Sequence, residues 1–474
     1  MVFDRYYQAL EYIKSFIWGS AEACMPPHLM GRVDPYSLRP KRTKYFLQMI
    51  GDPQEKLRII HVGGTSGKGS TLTLAGAILQ AAGFTVGTHT TPYLQTPIEK
   101  MKVNDLYISP LELADLVEEV KASAELTLKE NPYGLLSYGE LWVALTFSYF
   151  ARAAVDLALI EVGVGGRYDC TNVITPLLSV ITTISHDHTD VLGKTLPEIA
   201  YHKAGIIKEG VPVVTGVQQP EALKIIRREC LEKGADLIEL GKEISYKVRT
   251  VDSEGGTFDY RGLQASYQSL RVRLLGGHQI VNATLAVAII ESLAKYHHLH
   301  VPEEAVRLGL EKARIYGRLE VIQRQPTVIL DGAHNEEKAR ALRKSISNLF
   351  GPKRLILVIG ILESKSVPDI LAELVPSADV VVVTAPEVMG KPATPPSELG
   401  QEAGSFGREV VVIGDPLEAI QHALDIANPE DLICVTGSLY LVGAVRSFWV
   451  PEAKILKTGT LDVDEALEVG ARGA

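Results

Sequence analysis

Short apolar runs alternate along this chain with longer stretches in which apolar residues recur every three or four positions. The first kind reads as strands buried on both faces and the second as helices packed on a sheet. Their alternation predicts a parallel α/β architecture. Leu57-Arg-Ile-Ile-His-Val62 is the first such strand. A glycine-rich turn follows, then the helical pattern Leu72-Thr-Leu-Ala-Gly-Ala-Ile-Leu-Gln-Ala-Ala82. Helices are predicted over 111–128 and 140–153, and strands over 155–162, 178–184 and 211–215. Between about 241 and 275 the texture becomes alternating around an Asp-Ser-Glu-Gly turn, which predicts a small antiparallel addition. A helix over 279–297 closes this unit. A second, smaller doubly wound unit starts near 303–318, with strands over 327–331, 354–361, 379–384, 409–413 and 431–436. The pattern thus divides the chain into a first domain over 1–300, opened by an arm with a helix over 6–18, and a second over 301–474. The tail after Pro451 reads as short, polar and loosely held.

Composition narrows the function classes. With 474 residues, 46% hydrophobic and 22% charged, the chain has the make-up of an ordinary globular protein. Its net charge of −9, with no basic run, argues against a general nucleic-acid binder, so an anionic substrate must be held by local cations or a metal. Early charges and the lack of a long apolar segment predict neither a signal peptide nor a membrane span. Cys24, Cys170, Cys230 and Cys434 are scattered, as free thiols in a reducing cytoplasm would be.

The candidate chemistry sits where predicted strands end. Gly64-Thr-Ser-Gly-Lys-Gly-Ser70 lies between a strand and a helix, the order of a phosphate cradle. Its glycines let backbone N–H groups approach a phosphate, Lys68 adds a cation, and the Ser70 hydroxyl can reach a bound Mg²⁺. The spelling departs from GxxxxGK[ST], because Val62 stands at the first glycine and Gly69 follows the lysine. Glu161 ends the 155–162 strand before a glycine-rich segment reaching Asn172, a position suited to a hard cation. His186-Asp187-His188-Thr189-Asp190 follows the next strand and fits metal binding or proton transfer as well as a structural role. Lys203 reads by itself as a surface lysine. Asp331-Gly-Ala-His334-Asn335, with Gly317-Arg318 ahead of it, fits either helix capping or a contribution to the phosphate site.

Taken together, these segments resemble the folylpolyglutamate synthase and dihydrofolate synthase family of the ATP-dependent Mur ligase superfamily. The matching motifs are Gly64–Ser70, Thr90-Thr-Pro-Tyr-Leu94 with the segment from Glu99 to Asn104, the segment from Glu161 to Asn172, Asp187-His-Thr-Asp-Val-Leu-Gly193, Lys203-Ala-Gly-Ile-Ile-Lys208, Gly277-His-Gln-Ile-Val-Asn-Ala283, Gly317-Arg318, Asp331 to Asn335, and Thr436-Gly-Ser-Leu-Tyr-Leu-Val-Gly443. They occur in family order over most of the chain.

The resemblance implies a P-loop ATPase-like domain followed by a Rossmann-like ligase domain. It implies an ATP-driven enzyme of folate and one-carbon metabolism that joins L-glutamate to a folate or to dihydropteroate through an acyl phosphate. A cytoplasmic monomer is expected. By the same resemblance Gly64, Thr65, Ser66, Gly67, Lys68, Gly69 and Ser70 hold ATP, with Asn282, Arg318 and Asp331 from the other side. Mg²⁺ falls to Thr91, Glu161, His188, Ser70 and a carbamylated Lys203. His334 and Ser438 match glutamate contacts, and Ser137, Tyr138, Glu140, Arg167 and Asp169 lie toward the acceptor. Lys68, His188, Lys203 and His334 are the expected catalytic set. Departures include Ser66 for Asn, Thr91 for Ser, Tyr93 for His and His202 for Glu. Gly139 stands where an aromatic residue commonly stacks on the pterin, a loss of about 1 kcal/mol that tilts the reading toward folate elongation. A cell-wall Mur ligase is the runner-up, but only about sixty residues precede the phosphate loop, too few for a nucleotide-sugar domain. A non-catalytic nucleotide-binding regulator would not need Glu161, His188, Lys203 and Asp331 together.

Overall fold

The computed structural model describes residues 2–388 and 390–463. Its larger sheet has eight strands, in the spatial order Leu106–Tyr107, Met101–Val103, Val86–His89, Leu157–Glu161, Ile59–Gly63, Leu178–Ile181, Val213–Thr215 and Leu237–Glu239. The first two form an antiparallel edge, and the other six run parallel. The three central strands are buried at every position, which is why they read as unbroken apolar runs. His61, Ser179 and the terminal Glu161 are the polar exceptions: His61 Nε2 lies 2.8 Å from the Thr171 hydroxyl, and burial pushes its pKa down to about 3.

The helix Lys68–Ala81 packs between His278–His297 and Glu303–Lys312. Val306 and Leu310 of the last helix join the core beneath the larger sheet. Its Gly309 meets the Ile78 backbone so closely that a Cβ would overlap it. The expected antiparallel addition is present as Ser245–Asp252, Gly255–Arg261 and Ser266–Val272. Glu291 ties it down by accepting from the Tyr260 hydroxyl and from the N–H groups of Leu263, Gln264 and Ala265.

The second sheet runs Glu320–Arg324, Thr327–Leu330, Leu432–Thr436, Leu355–Ile359, Val380–Val383, Glu409–Val412. Five strands are parallel and were expected. The antiparallel edge Glu320–Arg324 was not, because its Glu-Val-Ile-Gln-Arg sequence lacks a continuous apolar run. Arg446 ties the second sheet's edge strand to the loop after Val86–His89 from full burial: it pairs with Glu320 at 2.8 Å and donates to Gln95 Oε1 at 2.8 Å and to the Leu461 carbonyl at 2.7 Å.

Three expectations need correction. The strand predicted over 178–184 stops at Ile181, since Thr182 and Thr183 turn their hydroxyls onto the glycine-rich loop. The N-terminal helix is Val2–Lys14, because Phe16 and Trp18 instead bond the segment around Ser137: Tyr138 N–H donates to the Phe16 carbonyl and Trp18 Nε1 to the Leu136 carbonyl. The stretch after Pro451 is not loosely held as far as residue 463: it forms the helix Glu452–Thr458 and buries Ile455, Leu456 and Leu461. The remainder of that predicted tail, 464–474, lies outside the described residues.

Candidate active site

The glycine-rich turn leaves the Ile59–Gly63 strand with Gly64 at φ 137° and Gly67 at φ 82°, backbone conformations that favour glycine. It is stitched to the neighbouring strand end. Thr65 N–H donates to the Thr183 carbonyl at 2.7 Å, Ser66 N–H to the Thr183 hydroxyl at 3.2 Å, and the Thr182 hydroxyl to the Ser66 carbonyl at 2.7 Å. The helix Lys68–Ala81 then begins, so the first-turn N–H groups of Lys68, Gly69 and Ser70 open at its positive end. The Asn282 carboxamide, from His278–His297, abuts Gly67 so tightly that no Cβ fits between them.

Charge converges on this turn. Lys68 Nζ lies 3.9 Å from Glu161 Oε1 and donates to the Thr65 carbonyl at 3.3 Å. Glu161 Oε2 accepts from Thr91 N–H at 3.1 Å. Burial raises the Glu161 pKa, opposed chiefly by Lys68 and the Thr91 N–H. Lys203 is buried and donates to the Gly64 carbonyl at 2.8 Å. Burial, then the Lys68 charge, pushes its pKa down to about 7.

The second sheet supplies the facing wall. Asp331 accepts from the N–H groups of Leu319 and Ala333, both at 2.9 Å. Burial raises its pKa against the pull of Arg318 and, more weakly, His278. His334 lies 2.8 Å from the Gly332 carbonyl through Nδ1 and 3.1 Å from Lys338 Nζ through Nε2. Burial, then Lys338, drives its pKa well below the usual value. Asp187 crosses between the two units, 3.1 Å from Lys365 and 3.6 Å from Lys338. Burial would raise its pKa, but these two lysines hold it below the usual carboxylate range. His188, at φ 51°, keeps its side chain half exposed with Nε2 4.0 Å from Asp187.

The residues expected toward the acceptor are arranged differently. Glu140 is fully buried in a bidentate pair with Arg42, at 2.8 Å, and also accepts from Ser137 N–H at 2.8 Å in a helix-capping box. Asp169 accepts from the Thr171 N–H and hydroxyl and from Val164 N–H. Arg167 pairs with Glu229 at 2.8 Å and stacks over Tyr201. Ser438 caps its helix by accepting from Tyr440 N–H at 3.2 Å. Tyr138 is half-buried, its ring edge-on to Trp142.

The comparisons with known proteins bear on the whole chain. The Mur ligase middle domain matches residues 136–290, and the Mur ligase glutamate ligase domain matches 317–439. A Bacillus subtilis protein named dihydrofolate synthase/folylpolyglutamate synthase is 37% identical over 410 residues, covering 85% of this chain and 93% of that one. This chain belongs to the folylpolyglutamate synthase/dihydrofolate synthase family. A Lacticaseibacillus casei folylpolyglutamate synthase is 34% identical, with 86% of this chain and 93% of the relative covered. The crystal structure of Thermotoga maritima folylpolyglutamate synthase superposes with a TM-score of 0.79 at 34% identity, over 98% of this chain and 99% of that one. Mycobacterium tuberculosis folylpolyglutamate synthase, complexed with ADP, gives 0.86 at 30% identity, over 95% and 100%. Membership in this family sets the cell-wall ligase reading aside.

Within that family frame, several groups at the cleft escaped the sequence reading. Lys338 and Lys365 come from the second unit and meet Asp187 only in the folded chain. Lys338 stands four residues after His334, a helical spacing that was the available signal. Lys100 lies inside the matched segment from Glu99 to Asn104 but was given no role there; it is buried beside Thr91. Among the described residues no three His, Cys, Asp or Glu side chains gather as a ready metal cage. The Glu161 carboxylate, which accepts from the Thr91 N–H, is the hard oxygen donor beside the turn. It suits Mg²⁺, which takes one or two carboxylates and completes its shell with phosphate oxygens and water. The buried Ser66 and Ser185 hydroxyls and Asn335 Nδ2 have no hydrogen-bond partner among the described residues. No described helix is long and apolar enough to cross a membrane.

Proposed function

We propose that this chain is a cytoplasmic, monomeric ATP-dependent ligase that adds L-glutamate to a folate, with dihydropteroate as the second acceptor to be tested. The observation that carries this reading is the convergence of Lys68, Glu161 and Lys203 on the Gly64–Ser70 turn beneath a wall bearing Arg318, Asp331 and His334. The first domain is taken as 1–300 and the second as 301–474.

In this account the acceptor carboxylate attacks the γ-phosphorus of ATP, the bond to ADP breaks, and an acyl phosphate forms. The glutamate amine then attacks the acyl carbon and phosphate leaves. Such chemistry is carried by alignment and charge neutralisation rather than by a protein nucleophile. The N–H groups of the Gly64–Ser70 turn cradle the phosphates, and Lys68 meets their terminal charge. Asn282, Arg318 and Asp331 enclose the nucleotide. Glu161, Thr91, Ser70 and His188 are assigned to Mg²⁺, which when bound neutralises phosphate charge. His334 and Ser438 are assigned to glutamate, and Ser137, Tyr138, Glu140, Arg167 and Asp169 to shaping the acceptor side.

Lys203 is assigned to carbamylation. Its pKa near 7 leaves a substantial neutral fraction at neutral pH, and the neutral amine is the form that reacts with CO₂. The carbamate would replace an ammonium that Lys68 repels with an anionic oxygen ligand. Lys203→Ala should lose activity and regain part of it with short carboxylic acids; an unmodified mass for active enzyme would remove this assignment. The main test is phosphate release with ATP and glutamate plus tetrahydrofolate or dihydropteroate. Release with tetrahydrofolate supports the reading, and release with neither acceptor overturns it.

A further inference from the structure

Lys100 is 7% exposed and forms no ion pair among the described residues. Its Nζ makes one long hydrogen bond, 3.5 Å to the Thr91 hydroxyl, and lies 5.8 Å from the Tyr93 ring centre and 5.7 Å from that of Trp142. The nearby carboxylates are committed elsewhere. Glu99 accepts from the N–H groups of Leu94, Gln95 and Thr96, and Glu161 from Thr91 N–H while facing Lys68. A buried ammonium without a counter-ion is costly, and two aromatic faces offset only part of that cost. The chain of contacts Lys68–Glu161–Thr91–Lys100 leads from the phosphate turn to the aromatic cluster of Tyr93, Trp142 and Tyr138.

We propose that Lys100 receives the acceptor's carboxylate, holding it next to the phosphate turn while the acceptor's aromatic part lies along the Tyr93 and Tyr138 rings. This rests on the ligase reading above and adds a substrate-contacting residue to it. Lys100 can donate to a carboxylate without giving up its Thr91 contact, because an ammonium carries three donors. It would also offset the repulsion between an anionic nucleophile and the phosphate it attacks. The terminal phosphate of ATP is the other anion it could meet, and the test separates the two.

Phosphate release by the full chain is measured with saturating ATP and glutamate while tetrahydrofolate is varied. ADP and AMPPCP binding and thermal unfolding are measured on the same proteins. Lys100→Met should raise the acceptor KM at least about tenfold, the effect of losing one charged hydrogen bond. It should leave the affinities for both nucleotides within about twofold. Its melting temperature should be unchanged or higher, since an unpaired buried charge has been replaced by an apolar chain of similar length. Lys100→Arg should recover most of the acceptor affinity. An unchanged KM in Lys100→Met, or a selective loss of AMPPCP affinity, would overturn the proposal. If Lys100→Met does not fold, wild type decides: a folate whose terminal carboxylates are amides should bind at least about tenfold more weakly than folate, and equal binding counts against Lys100. Wild type that releases no phosphate with any acceptor would instead sink the ligase reading.

Discussion

Gly64→Ala tests the phosphate turn at its tightest point. Gly64 has φ 137°, a region that side-chain-bearing residues rarely adopt, and forcing one there costs about 1–3 kcal/mol. A Cβ would also overlap Thr182 Oγ1 and stand 3.0 Å from Thr182 N and 3.2 Å from its Cβ. To make room, the Thr182 hydroxyl must give up its hydrogen bond to the Ser66 carbonyl at 2.7 Å, with the Gly63 carbonyl a longer alternative acceptor at 3.2 Å for the same hydrogen. That bond contributes about 1 kcal/mol. The strain falls on a loop between a strand and a helix, so it should appear mainly as loss of the nucleotide-binding conformation. At 2 kcal/mol, the low end, that is about 30-fold in affinity. Isothermal titration of ADP into wild type, Gly64→Ala, Thr182→Ala and the double variant measures it. Because removing Oγ1 removes the nearest clash, the double variant should bind ADP more tightly than Gly64→Ala alone. Wild-type affinity in Gly64→Ala, or a double variant no better than the single, would refute the packing argument.

Other outcomes follow from the same geometry. Lys68→Ala should abolish folate-dependent ADP formation while leaving the circular dichroism spectrum unchanged; normal turnover would remove Lys68 from the phosphate site. His61 and His89 are buried, and burial lowers both pKa values from 6.5 to about 3. Both stay neutral in the folded chain while the unfolded chain takes up protons. The stability they confer is therefore complete above pH 6.5 and falls by about 1.4 kcal/mol per pH unit for each histidine on the way down towards pH 3. Denaturant titrations of His61→Asn across this window should show about half the slope attributable to the pair. Arg446→Met leaves Glu320 without the cation that pairs it, and should destabilise the protein by about 3–5 kcal/mol; adding Glu320→Gln should return part of that loss in a double-mutant cycle.

The sequence carried the fold well where burial was two-sided. The Ile59–Gly63 and Leu157–Glu161 strands are apolar without interruption except at His61 and the terminal Glu161, and Leu178–Ile181 beside them was legible for the same reason, whereas the equally buried Val86–His89 was missed because Val-Gly-Thr-His is not an apolar run. Edge elements such as Glu320–Arg324 and Leu106–Tyr107 were missed because half-exposed strands need no apolar run. The phosphate turn was readable because glycines, a lysine and a serine sit side by side in the chain. Pairings across the cleft were not. Asp187 with Lys365, or Lys203 with the Gly64 carbonyl, joins residues more than a hundred positions apart. The partners of Glu140 were equally hidden in the sequence: its oxygens accept from Arg42, 98 positions away, and from Ser137 N–H.

The central claim is that ATP activates the acceptor by phosphorylating its carboxylate. The most direct measurement supplies tetrahydrofolate monoglutamate with ¹⁸O in its terminal γ-carboxylate, together with ATP and glutamate, and analyses the released phosphate by mass spectrometry. Transfer of one ¹⁸O into inorganic phosphate, matched to each new amide bond, is the predicted result. Unlabelled phosphate alongside the elongated product, or label appearing in AMP, would contradict the account.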